Sequence, residues 1–156
     1  WTLWSILGCF ISVLLLKFIV GSCTAGETYQ VASWSYLHKL WLRQLIVSSF
    51  HHAWLLPNSY DHIYPIALRW LGAHIEDNVK ISEIHTFLSY PTNLLHFERG
   101  VTTFGSVLLV PTELTLSGDH CVDYITLGSY TNLGNGCSIL PGSHLASETM
   151  IGNLTR

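Results

Sequence analysis

The chain carries two hydrophobic periods, and the change between them falls near Gly72. Residues 1–20, WTLWSILGCFISVLLLKFIV, are apolar except for Ser5, Ser12, the small Gly8 and Lys17. At about 1.5 Å rise per residue, such a run spans a bilayer core. Trp1 and Trp4 suit the interface at one end, and Lys17 can snorkel at the other. A signal peptide is the rival, although the run lacks a basic start and a small-residue cleavage site. A buried core helix is the plainer alternative. After the link GSCTAGETYQVASW, the positions Trp34, Leu37, Leu40, Trp41, Ile46 and Phe50 recur at helical spacing up to Pro57. This second helix fits the membrane interface, a short second span (Leu42 to Leu56) or soluble packing. A short helix is expected from Pro65 to Leu71, with Gly72 as its stop.

Beyond Gly72 a six-residue period takes over. From Leu127 the chain divides into LGSYTN, LGNGCS, ILPGSH, LASETM and IGNLTR. The first positions, Leu127, Leu133, Ile139, Leu145 and Ile151, are all aliphatic. The fifth, Thr131, Cys137, Ser143, Thr149 and Thr155, are all small or hydroxyl-bearing. Such a repeat predicts a parallel β-helix in which three hexapeptides close a coil. Leu127 should then stack on Leu145, Leu133 on Ile151, Thr131 on Thr149 and Cys137 on Thr155. Each buried aliphatic contributes roughly 1.5–3 kcal/mol, and Cys137 reads as a small core filler. Upstream, residues 75–80 match one unit and 97–108 two more, loosely. The stretch 83–93 does not fit, and 109–126 breaks register around Pro111, Gly118, Asp119 and His120. Such interruptions are expected as loops on a rigid scaffold, where chemistry often sits.

Composition narrows the function. Of 156 residues 49% are hydrophobic and 11% charged, which excludes a disordered tail. Seven Lys and Arg stand against ten Asp and Glu, so no basic surplus serves nucleic acid. Cys9, Cys23, Cys121 and Cys137 are far apart and form neither a disulfide framework nor a zinc motif. Because the chain opens on Trp1 and the repeat reaches Arg156 without a cap, it reads as part of something longer. Asn153-Leu154-Thr155 matches a glycosylation sequon inside the repeat.

The repeat resembles the left-handed β-helix of the hexapeptide-repeat acyltransferases. With Gly26-Glu27, Ser33-Trp34, Tyr36-Leu37 and Arg69-x-Leu71-Gly72-Ala73-x-Ile75, residues 20–156 resemble the C-terminal region of nonribosomal-peptide-synthetase-like proteins of the epsilon-poly-lysine synthetase type. The resemblance implies membrane-associated α-helices over 1–72, then a left-handed parallel β-helix of the trimeric transferase type over 73–156. It also implies a homotrimer at a membrane, with adenylation and carrier domains upstream. An acyl or aminoacyl group would pass from a thioester to an amine, the donor being a phosphopantetheine carrier or coenzyme A. A free-standing membrane-anchored transferase and a non-catalytic trimerisation or docking module are the alternatives.

That chemistry needs a general base, and histidine suits it because its pKa lies near neutrality. Nine histidines are available. His120, beside Asp119 and Asp123 in the interrupting loop, is the first candidate, with a solvated loop histidine as the plain alternative. His144, at the sixth place of its hexapeptide, is the second. His85 and His96 read as structural, and His51, His52 and His62 as interfacial. No histidine pair has the spacing of a metal site, so none is expected.

Overall fold

The computed structural model describes residues 2–30, 33–54, 62–116 and 118–155. Helix α1 (Thr2–Leu15) continues into a π-helical turn, Leu16–Val20, and ends at Gly21, whose φ of +73° suits glycine. The 18-residue stretch Leu3–Val20 is long and apolar enough to cross a membrane, about 27 Å at helical rise. Only 33% of it is buried. Ser5, Cys9, Ser12, Val13 and Leu16 face inward, while Leu3, Trp4, Leu7, Phe10 and Phe18 face out. Gly8 sits on the inner side, where an added Cβ would come within 2.8 Å of the Ala53 side chain. The Ser12 hydroxyl donates to the Cys9 carbonyl at 2.8 Å, so the buried hydroxyl is satisfied within the helix.

The second predicted helix is α2 (Trp34–Ser49), followed by a 3-10 turn, His51–Trp54. It buries Tyr36, Arg43, Ile46 and Val47 and exposes Trp34, Leu37, Trp41 and Leu45, an unpartnered apolar stripe. The expected stop at Pro57 lies outside the described residues, as do Leu56 and Trp1. Helix α3 (Ile63–Trp70) ends at Leu71–Gly72, with Gly72 at φ +95°, as the Pro65–Gly72 pattern predicts.

Strand β1 (Thr28–Gln30) precedes α2, and β2 (His74–Ile75) and β3 (Lys80–Ile81) follow α3. One-turn α4 (His85–Leu88) comes next, then β4 (Leu95–Phe97), β5 (Thr102–Thr103), β6 (Leu108–Leu109) and β7 (Thr112–Leu114). The chain closes with β8 (Asp119–Val122), β9 (Ile125–Leu127), β10 (Asn132–Leu133), β11 (Ser138–Ile139), β12 (His144–Leu145) and β13 (Met150–Ile151). Three sheets are parallel, in the orders β12-β9-β4-β2, β13-β10-β5-β3 and β11-β6. A fourth, β1-β8-β7, is antiparallel.

The six-residue period is visible in the backbone. Tyr130, Gly136, Gly142, Glu148 and Leu154 have φ between +59° and +73°, so the fourth place of each unit turns a corner in the left-handed region. Leu127 is in register with Leu145, and Leu133 with Ile151. Leu127, Leu133 and Cys137 are fully buried.

The left-handed β-helix expected for the C-terminal part is nonetheless corrected. The described chain is a small α/β mixture of four helices and several short sheets, with no left-handed β-helix evident. An 18-residue offset holds between Thr126 and His144, but Thr102 pairs with Asn132 and His74 with His96, offsets of 30 and 22. The extra residues have physical destinations. One insertion forms α4 and a 3-10 turn, Thr92–Leu94, which bury Phe87, Leu88 and Leu94. The other forms the β7–β8 hairpin, which β1 joins from far upstream. A single buried cluster runs from Cys9 through Leu68, Phe87 and Phe97 to Ile139.

Close approach of neighbouring turns makes one glycine testable. A Cβ on Gly128 would lie 2.6–2.7 Å from backbone atoms of Leu145, Ala146 and Ser147. Gly128→Ala is expected to destabilise the fold by about 1–3 kcal/mol by prising β12 from β9. Chemical denaturation of both proteins measures it, with faster amide exchange at Leu145 as the local signature.

Candidate functional site

A polar cleft is built where β3 runs into α4. Ile84, fully buried, pins this segment to the core, and the amides of Phe87 and Leu88 bond back to its carbonyl at 2.9 and 3.2 Å. The Ser82 hydroxyl donates to the Thr103 carbonyl at 2.9 Å and the Thr86 hydroxyl to that of Val107 at 3.0 Å. Glu83 and His85, either side of Ile84, turn the other way. They line a cavity of about 470 Å³ with His51, Trp54, Ser106 and Asn135.

Glu83 is held at one oxygen. Its Oε2 accepts the Ser106 amide at 2.7 Å, and its Oε1 lies 3.4 Å from Nδ1 of His85. A carboxylate beside one imidazole nitrogen is the arrangement that orients a general base. The His51 ring stands edge-on to His85, centroids 5.3 Å apart. Trp54 is buried, and its Nε1 has no hydrogen-bond partner, while its carbonyl accepts the Tyr64 hydroxyl at 2.9 Å. Ser106 sits at φ +57°, a strained conformation for a side-chain-bearing residue that presents its amide to Glu83.

His120 is placed elsewhere, on β8 opposite Tyr29. Its ring packs 5.3 Å from that of Tyr36, which stacks in turn on Tyr29. Its Nδ1 is buried without a hydrogen-bond partner, so no carboxylate orients the ring through that nitrogen. Asp123 instead accepts the Tyr124 amide at 2.7 Å. His144 is exposed on β12, in a different sheet from His120, and extends a cross-strand row of His74, His96 and Thr126. The structure therefore brings His144 into line with other histidines but not together with His120.

That row has its own pH response. Partial burial and the neighbouring His74 hold the His96 pKa below its ordinary value, and the Tyr124 ring lies 5.0 Å away. The unfolded chain then takes up this proton first as pH falls below about 6.5, so stability drops between that point and the depressed folded pKa. His96→Gln should reduce the fall in melting temperature between pH 7.5 and 5.5.

Among the described residues no three His, Cys, Asp or Glu side chains gather as a metal site. Burial raises the pKa of the Cys137 and Cys23 thiols, which keeps them protonated and suits Cys137 to the core. Sequence does not single out Glu83, and it reads His85 as structural and His51 as interfacial. The Glu-Ile-His triplet leads into the single turn of α4 with Ile84 in the right-handed helical region (φ −100°, ψ −27°), so no strand alternation in the sequence signals that its two polar residues meet. No protein-family model, curated protein or solved structure matches the chain.

Proposed function

We propose that the Glu83–His85 cleft is a general-base site for acyl transfer at a membrane. The observation that carries this reading is the Glu83 carboxylate, anchored on the Ser106 amide and poised beside Nδ1 of His85. Nε2 of His85 takes the proton from an attacking amine as its nitrogen bonds to the donor carbonyl carbon. The carbon–sulfur bond then breaks, and the proton passes to the departing thiolate. The thioester donor, on a phosphopantetheine carrier or coenzyme A, follows from the resemblance of residues 20–156. Upstream adenylation and carrier domains and a homotrimer belong to the same proposal.

Leu3–Val20 anchors the site by crossing the bilayer, with its outward Leu3, Trp4, Leu7, Phe10 and Phe18 toward lipid. The chain is then expected to stay with the membrane fraction through an alkaline carbonate wash, and release into the supernatant overturns the anchor. The transfer itself is tested with aminoacyl-pantetheine and a primary amine, following amide formation. His85→Ala should lose activity while keeping the wild-type melting temperature, and an unchanged rate removes His85 from the role.

A further inference from the structure

Arg43 is an unusual residue to bury. It is 5% exposed, on the inner face of α2, and its Nη1 donates to the carbonyls of Tyr90 at 2.6 Å and Leu88 at 3.3 Å. Those bonds fix the guanidinium but leave its charge without a carboxylate, since the ion pairs among the described residues are Arg69–Asp77 and His85–Glu83. A buried cation without an anion is costly, and proteins supply one from a side chain or a ligand.

Arg43 lines a pocket of about 340 Å³ at the end of the apolar helix, together with Lys17 and Arg69. Among the described residues, its walls hold no carboxylate. The pocket is firmly built on one side. Asn93 clasps the backbone after the helix, accepting from the Cys23 amide at 3.3 Å and donating to its carbonyl at 2.6 Å. Arg69 is fixed by bonds to the carbonyls of Ile75 at 2.7 Å and Glu76 at 2.8 Å. Asp77, 3.6 Å from Arg69, offsets one of the three positive charges. The remaining charge of about two matches a dianion by simple neutralisation.

We infer that the pocket between Lys17, Arg43 and Arg69 binds a phosphate monoester. Guanidinium groups suit phosphate because their donors match its oxygens in pairs, and Lys17 adds a mobile point charge. The site lies where the Leu3–Val20 stretch ends, the depth of a lipid headgroup. Trp70 lines the same pocket half-exposed and reports on occupancy.

The test uses the full chain in neutral detergent, titrated separately with inorganic phosphate, short-chain phosphatidic acid and short-chain phosphatidylcholine. Melting temperature and tryptophan fluorescence are the readouts. Phosphatidic acid is expected to raise the melting temperature saturably, phosphatidylcholine to leave it unchanged, and Lys17→Gln to weaken the response about tenfold. Arg43→Lys should weaken it similarly, and Lys17, being exposed, keeps the test valid if Arg43 variants fail to fold. A response to inorganic phosphate as strong as to phosphatidic acid identifies free phosphate as sufficient, and a response to the lipid alone identifies the headgroup. No response to either, or equal binding by Lys17→Gln, overturns the site. Neither readout involves His85, so loss of the acyl-transfer reading leaves this result standing.

Discussion

Phe97→Ala is expected to destabilise the chain by about 3–5 kcal/mol, a drop of roughly 10 °C in melting temperature. Phe97 is fully buried in a four-residue row of core side chains across a parallel sheet. Its neighbours across the parallel sheet are Ile75 on β2 and Leu127 on β9, and Leu145 continues the row on β12. Below it, the Phe87 ring meets the Phe97 ring edge-on, with centroids 6.3 Å apart. Removing the ring leaves a cavity that three strands and α4 share, and none of the strands can collapse alone because each is held by ladder bonds. The Glu76 amide donates to the Phe97 carbonyl at 2.9 Å, and the Glu98 amide to that of Leu127 at 3.0 Å. Leu154→Ala is the matched control. Leu154 is 82% exposed, so its loss should stay within about 0.5 kcal/mol. Similar melting temperatures for the two variants would show that the row is not the keystone of the core.

The same row shows what sequence could and could not foretell. Leu127, Leu133 and Cys137 lie at fixed places of a six-residue period, and both their burial and the Leu127–Leu145 register follow from that period. Periodicity reports local geometry, and here it does so accurately. It carries no information on how long the chain travels before returning to a sheet. Phe97 reaches Leu127 only after the β7–β8 hairpin has used up the intervening residues, and β1 completes that hairpin's sheet from some 90 positions upstream. Pairings of that range depend on which insertions fold on themselves, which a repeat count does not reveal. The expected coil therefore gave way to short sheets of unequal spacing.

The cleft was less legible for the same reason. His120 drew notice because Asp119 and Asp123 are its sequence neighbours, yet its Nδ1 is buried without a hydrogen-bond partner. Successive residues along a strand alternate faces, so Asp119 and His120 on β8 do not share one, and Asp123 lies beyond the strand and accepts the Tyr124 amide. Glu83 and His85, two apart around buried Ile84, share a side, and Ser106 reaches Glu83 only through the turn after β5. His51 arrives from the helical half of the chain, brought close by the 3-10 turn after α2.

This geometry sets the second large effect. With an aminoacyl-pantetheine donor, His85→Ala should lower kcat/KM by about 10²–10⁴-fold, the usual worth of a positioned general base. Glu83→Gln should lose less, because the amide oxygen of glutamine still accepts the Ser106 amide, while its NH₂ meets Nδ1–H of His85 as donor against donor. A residue that acts by orienting another leaves no separate trace once its partner is gone. The Glu83→Gln, His85→Ala double variant should therefore be no slower than His85→Ala alone. Multiplying losses would mean that Glu83 acts independently of His85, and the positioning role would fall. His120→Ala and His144→Ala in the same assay complete the comparison. His144 is exposed and His120 lies on the antiparallel sheet, so both should retain most of the wild-type rate. A hundredfold loss in either, with His85→Ala active, would move the base away from the Glu83 cleft.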